Sequence, residues 1–351
     1  MRALASDNPF LVTGPDTAAG VVEITARPGI RLTEAPGTSY DLGATVTARR
    51  YTRRYGGYVT GRVDAIAEHR DSERLTYRAA AGFSRDLAVD VLTSAVESGV
   101  DTTAIRSTLL GSASVTYRPD ERTSLIPQVE FERSRFNRNQ LFANTRAITG
   151  SLAYRRRTAP ATTAGVRALV SVNKVGPLAT MSTQSLYGTL DHRLSSAWPV
   201  TIELGLERVG ARTEDVLGET TSYPARVRLS GRAQLCREIP YSAVCIGGSV
   251  DTEVSGLGGL QRRTVAQASV RQRLGERTTL SIDADYQRAT LQGANLPVFE
   301  TIRAVATVQR RIQYDLRLGA TLQYLRRRLI GGSHVGAGFA GLQVTWSPGA
   351  L

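Results

Sequence analysis

From about residue 20 to residue 347 the chain alternates apolar and polar residues with a period of two, interrupted only at turns. Residues 223–235 show the pattern. Tyr223, Ala225, Val227, Leu229, Gly231, Ala233 and Leu235 fall on one parity; Pro224, Arg226, Arg228, Ser230, Arg232 and Gln234 fall on the other. Successive side chains of a strand point to opposite faces, so such a segment has one apolar and one charged face. The alternating segments run to roughly 12–15 residues. Strands of soluble proteins average about 5–6 residues, and a tilted strand needs about 9–11 to cross a bilayer. Long alternating strands in series predict an all-β fold, a closed antiparallel transmembrane β-barrel with up-and-down order.

The turns fall into two classes that alternate. Short polar turns lie at 118–122, 156–159, 194–197 and 274–277; longer segments rich in Gly, Pro and Asn lie at 136–142, 174–182, 212–221, 256–261 and 292–299. Arg118, Arg155, Arg193, Arg237, Arg273 and Arg310 each stand where a strand enters a short turn, at spacings of 37, 38, 44, 36 and 37. The repeating unit is one hairpin plus one longer loop, which matches short periplasmic turns and longer external loops. The rhythm predicts 18 strands within a range of 16–18, near 20–32, 40–52, 57–69, 74–84, 87–97, 105–118, 122–135, 143–156, 160–173, 183–194, 198–211, 222–236, 243–255, 262–274, 277–291, 300–312, 314–327 and 334–347. An even count puts both termini on the periplasmic side. Segment 87–97 also suits a helical stripe through Leu87, Val91, Leu92, Ala95 and Val96, and the loop rhythm favours a strand there. Residues 1–18, with Asn8-Pro9 and Gly14-Pro15, read as an irregular leader, either tucked into the lumen or hanging below it, and residues 19–351 as a single barrel domain. No external loop exceeds about ten residues by these bounds, so an inward-folded constriction loop is not expected.

The apolar parity is expected to face lipid. It carries Val59, Val63 and Ala65; Leu75, Tyr77, Ala79 and Phe83; Val166, Val170 and Val172; and Leu316, Leu318, Leu322 and Tyr324. The opposite parity carries Arg62, Arg78, Arg167, Glu203, Glu207, Arg226, Arg228, Arg232, Asp251, Glu253, Asp283 and Asp285. A charge facing lipid near the midplane costs about 2–4 kcal/mol; in a water-filled lumen it costs little. These residues are therefore the candidate lumen-lining set. Two readings stand for them. They brace the wall, since the strand of Arg226, Arg228 and Arg232 lies between one bearing Glu203 and Glu207 and one bearing Asp251 and Glu253 and opposite charges facing each other across neighbouring strands help set register, or they select solutes.

Composition adds four points. Hydrophobic content is 41% and no apolar run reaches 18 residues, so no transmembrane helix is expected. The opening Met1–Ala5 is too short for a secretory signal. The net charge of +13 comes from arginines spread along the chain among carboxylates, with Lys174 the single lysine, which does not suit a nucleic-acid stripe. Cys236 and Cys245 point to one face across a hairpin turn. They read as a cross-strand disulfide of an oxidising compartment or as two free thiols; a metal site lacks further ligands.

In the last strand Gly338, Ala340, Leu342, Val344 and Trp346 alternate and end on an aromatic. Leu342, Val344 and Trp346 resemble the C-terminal signature read by the barrel-assembly machinery, although here the chain continues to Leu351. Tyr117 and Tyr154 stand just before short turns, where an interfacial aromatic belt belongs. The hairpin rhythm over 20–347, with the turn segments Tyr117–Leu125 and Arg273–Leu280, resembles the outer-membrane β-barrel porins often encoded with exopolysaccharide-secretion genes. The resemblance implies a pore in the bacterial outer membrane that exports a polysaccharide with periplasmic export components. It supplies no site residues.

His69, His192 and His334 have no Ser and carboxylate at a recognisable spacing, and no phosphate loop, cofactor motif or metal cluster is present, so an enzyme is not expected. Asp283 and Asp285, two residues apart on one face, read as lumen wall. Two functions compete: a channel for hydrophilic solutes, and a scaffold barrel whose plugged lumen holds partners in the membrane. A secreted β-repeat protein is a third reading.

Overall fold

The structure is a computed structural model and describes residues 1–53, 55–91, 103–137, 143–176, 179–214, 220–255, 259–291, 298–328 and 332–347. The strands are β1 (Arg2–Ser6), β2 (Ala19–Ala26), β3 (Gly29–Ala35), β4 (Thr38–Tyr51), β5 (Gly57–Arg70), β6 (Leu75–Leu87), β7 (Ile105–Tyr117), β8 (Thr123–Phe136), β9 (Thr145–Ala159) and β10 (Thr162–Val175). They continue as β11 (Ala179–Ser195), β12 (Trp198–Glu214), β13 (Thr220–Ile239), β14 (Ser242–Ser255), β15 (Gly259–Arg273), β16 (Thr278–Leu291), β17 (Phe299–Arg311), β18 (Leu316–Arg328) and β19 (His334–Trp346). Segments β2 and β3 are two halves of one strand, both pairing with β4 and interrupted where Pro28 cannot donate to the ladder. The result is a closed 18-strand antiparallel barrel of up-and-down order. Among the described residues no helix is long and apolar enough to cross a membrane.

The expected count is met, but its membership differs in two places. Of the strand expected at 87–97, the described residues 87–91 form no separate strand. β6 pairs directly with β7 from Leu75↔Tyr117 to Leu87↔Ile105, Ala88–Val91 form a 3-10 turn, and 92–97 lie outside the described residues. The connection between these strands is 88–104, longer than any loop expected from the sequence. The missing strand is supplied by Arg2–Ser6 within the expected irregular leader. β1 pairs with β19 on one side and β2 on the other, and so closes the ring. Its signal is faint because five residues are too few to show a period and its larger side chains, Arg2 and Leu4, share the inward parity. Gly341 of β19 makes room for it, since a Cβ there would meet the Ala3 carbonyl oxygen at 2.2 Å.

Turn chemistry explains the short end. Pro36-Gly37 joins β3 to β4 with Gly37 at φ +98°, the pairing a type II turn requires. In the β7–β8 turn the N–H groups of Arg122 and Thr123 donate to Asp120 Oδ1 at 2.7 and 2.8 Å. These bonds, that of Arg122 first, hold the Asp120 carboxyl below its ordinary value. Met1 and Ser347 lie towards this end: the Met1 amine donates to the Val344 carbonyl at 2.9 Å and the Ser347 N–H to that of Asp315.

Exposure follows the expected parity. Val166, Val170, Leu186, Leu204, Leu206, Val227, Leu229, Leu322 and Leu342 are large, apolar and exposed on the outer face. Tyr40, Tyr77, Tyr117, Tyr154, Trp198, Tyr241, Tyr314 and Trp346 are also exposed and ring the short-turn end. The two tyrosines singled out from sequence belong to that girdle. A closed ring in which each strand has a partner on both sides over part of its length, with an apolar belt, an aromatic rim and a polar interior, suits hydrocarbon outside. This architecture places the chain in the bacterial outer membrane.

Candidate functional site

The site is the lumen, and its wall is filled at two places. The first is a lobe made by β10–β14, which curl so tightly that β10 and β14 come within 8 Å at Cα. Inward residues of five strands meet there. Glu203 of β12 accepts from Arg167 of β10, reaching across β11, and from Arg232 of β13 at 3.1 Å. The Arg167 guanidinium lies 5.2 Å from the Tyr187 ring centroid, and Tyr187 fills the space left by its cross-strand partner Gly205. Tyr187 Oη and Ser230 Oγ are 3.3 Å apart, and Ser230 Oγ donates to the Val250 carbonyl at 2.9 Å. Glu207 is buried on the same face.

The second filling is a strap formed by the β1–β2 connection. Asn8 folds it into a tight turn: its Nδ2 donates to the Val12 carbonyl at 2.8 Å and its Oδ1 accepts the Val12 N–H at 3.0 Å. Leu11 takes φ +52° at the bend. Phe10 and Leu11 are fully buried in a cluster with the inward residues Val21, Tyr51, Leu325 and Ala337. The Phe10 ring centroid lies 5.0, 4.7 and 5.7 Å from those of Tyr51, Tyr55 and Tyr58. Arg327 Nη2 donates to the Leu11 carbonyl at 3.0 Å, and the Gly338 N–H donates to Asp7 Oδ1 at 2.8 Å. The 3-10 turn joins the same region: Val89 packs in the cluster, and Asp90 accepts from Arg49 at 2.6 Å while Arg49 also donates to Glu23 at 2.6 Å. The strap lies within residues 1–18, so of the two places open to that leader the lumen is the one it takes, and the expectation about external loops is not touched by it.

The twelve candidate lumen residues all occupy the parity opposite the exposed apolar residues. Arg62 pairs with Asp64 at 2.7 Å. Arg78 stands opposite Glu68. Arg167, Glu203 and Arg232 are brought together, as described. Asp283 stands opposite Ser269, and Asp285 opposite Gln267 and Arg303. Glu203 and Glu207 face Arg232 and Arg228 across the β12–β13 ladder. The matching expectation for Asp251 and Glu253 is corrected. The β13–β14 ladder stops at Gly231↔Val250, so these carboxylates do not face Arg226 and Arg228 across a pairing. Asp251 stands opposite Arg263 and Glu253 opposite Gln261; the Glu253 side chain lies outside the described residues.

The sequence left the place of the leader open without singling out the residues that anchor the strap, and it gave no sign of the Arg49 latch. The apolar pair Phe10-Leu11 inside a polar leader was the available signal for the strap; the latch joins residues 23, 49 and 90, which no spacing rule connects.

Cys236 and Cys245 are disulfide-bonded across one register pair, 4.1 Å apart at Cα. C236S/C245S is expected to lose about 2–3 kcal/mol, the amount associated with closing a short loop, read as a lower urea midpoint. His69 and His192 each bond a cross-strand threonine, Thr38 and Thr162, at 2.8 Å. Among the described residues no group of three or more His, Cys, Asp or Glu is placed to hold a metal.

No protein-family model and no curated protein matches the chain. Solved structures match it in fold. The chain is similar to the ferric citrate transporter FecA in its unliganded form, with a TM-score of 0.53 and 10% identity, covering 99% of this chain and 63% of that one. The copper transporter OprC matches at 0.53 and 10% identity, covering 99% and 66%. The alcaligin outer-membrane receptor FauA from Bordetella pertussis matches at 0.50 and 12% identity, covering 100% and 66%. The chain therefore spans 63–66% of the length of these proteins. What they share with it is the barrel. The narrower resemblance to exopolysaccharide-associated porins rests on the hairpin rhythm and the turn segments of the sequence.

Proposed function

We propose that the chain is an outer-membrane channel that passes hydrophilic solutes, an exported polysaccharide among them, through a charged lumen. The observation that carries this reading is the inward row of paired and unpaired charges inside a closed 18-strand ring. Rings of about 16–18 strands are wide enough for an aqueous passage. The transport roles named for FecA and OprC support transport as the class of activity. The paired residues Arg167, Glu203 and Arg232 brace the wall, and the residues without partners set the preference among ions. Leu342, Val344 and Trp346, exposed on the last strand, suit engagement by the barrel-assembly machinery during insertion, and the short-turn rim suits periplasmic export components.

A second reading, a plugged scaffold, is favoured by one observation: the strap buries Phe10 and Leu11 inside the lumen. Planar-bilayer recording separates the two. A channel gives stable conductance in the wild-type protein and a larger conductance in F10A/L11A. A scaffold gives none in either, provided both migrate as folded barrels in unheated gels.

A further inference from the structure

The β13–β14 seam of the wall is incomplete. Nine register pairs join β13 to β14, from Ile239↔Ser242 up to Gly231↔Val250, with the disulfide among them. At about 3.3 Å per residue and a tilt near 45°, nine pairs rise about 21 Å from the short-turn rim. The apolar band of such barrels is about 25 Å tall. The seam therefore opens just below the outer interface. Above it β13 continues on β12 alone, from Ser230 to Thr220, and β14 on β15 alone. Two side-chain bonds to backbone carbonyls stand in for the ladder at the split: Ser230 Oγ to Val250, and Arg262 Nη2 to Leu229 at 2.9 Å. Pro224 and the arginines on this free edge discourage pairing with another strand.

The split has an amphipathic lining. Val227 and Leu229 are exposed on the outer face, beside Leu204 and Leu206 of β12. Arg226 and Arg228 take the lumen parity, and among the described residues neither holds an ion pair, whereas Arg232 below them is engaged by Glu203. We propose that the β13–β14 split is a lateral window between the lumen and the outer leaflet that admits an anionic amphiphile. Its acidic headgroup is held by Arg226 and Arg228, and its chain lies on Val227 and Leu229. Guanidinium groups suit phosphate or carboxylate oxygens through bidentate hydrogen bonds, and the apolar flank retains a chain that a plain anion lacks.

The test is native mass spectrometry of the protein released from neutral maltoside micelles, with dodecyl phosphate, dodecanol or inorganic phosphate added. The wild type is expected to retain one dodecyl phosphate at concentrations at least tenfold below those needed for the other two. R226Q/R228Q is expected to weaken this at least tenfold. S230C/D251C in a C236S/C245S background continues the register by one pair of the same kind as the native disulfide. Its oxidised form is expected to lose binding and its reduced form to regain it. Equal retention of dodecanol would show apolar adsorption only, and equal retention of phosphate an ordinary anion site. Either result, an absence of binding, or binding that survives both the arginine substitutions and the sealed seam would overturn the proposal.

Discussion

Phe10→Ala is expected to destabilise the barrel by about 3–5 kcal/mol, the range for truncating a buried phenylalanine that its surroundings cannot refill. Phe10 has no exposed surface and lies against three tyrosine rings carried by β4, the β4–β5 connection and β5. Two of those rings, Tyr51 and Tyr58, stand on strands held by their own ladders, so the hole cannot close by collapse. The loss also reaches the ring closure, because the strap runs from β1, the five-residue strand between β19 and β2. Urea unfolding monitored by heat-modifiable gel mobility reads the loss. A midpoint within error of wild type would mean that the strap is not packed as described. Loosening of the strap is also expected to raise single-channel conductance, which separates a lumenal Phe10 from one buried elsewhere.

Leu186→Arg is expected to cost about 2–4 kcal/mol, the penalty for an arginine on the lipid face near mid-bilayer. Leu186 stands midway along β11 and is 61% exposed, facing outward between buried Ser185 and Tyr187. A comparison keeps the chemistry constant. Gln267 of β15 is exposed on the inward parity, and Gln267→Arg should change stability by less than about 1 kcal/mol, as a charge added in water does. Refolding into phosphatidylcholine vesicles at graded urea measures both. Equal costs for the two substitutions would contradict the assignment of faces.

Much of the barrel is legible in the sequence because the bilayer imposes one rule on every strand: apolar out, polar in. Leu204 and Leu206 against Glu203 and Glu207 declare their faces from parity alone, and Cys236 and Cys245 declare their pairing because a hairpin fixes register locally. Where that rule lapses, the reading lapses. β1 is too short to establish a period. Ala88 and Val89 are buried because they pack inward, not because they face lipid, and so they imitate a strand beyond Leu87. The meeting of Arg167 with Glu203 skips a strand and depends on how tightly the wall curls. Curvature is a property of the closed ring, and alternation along one strand does not encode it. The open seam above Gly231 is hidden for the same reason, since β13 and β14 both keep their alternation past the point where they part.

The central claim concerns which side of the wall is wet. Single-cysteine variants at residues 75–84 of β6, in a C236S/C245S background, can be nitroxide-labelled and reconstituted in vesicles. Collision rates with dissolved oxygen and with a water-soluble nickel chelate are then compared at each site. Oxygen should dominate at 75, 77, 79, 81 and 83 and the chelate at 76, 78, 80, 82 and 84. Accessibility without a two-residue period, or with the opposite phase, would contradict a lipid-facing Leu75–Phe83 row and the water-filled ring built upon it.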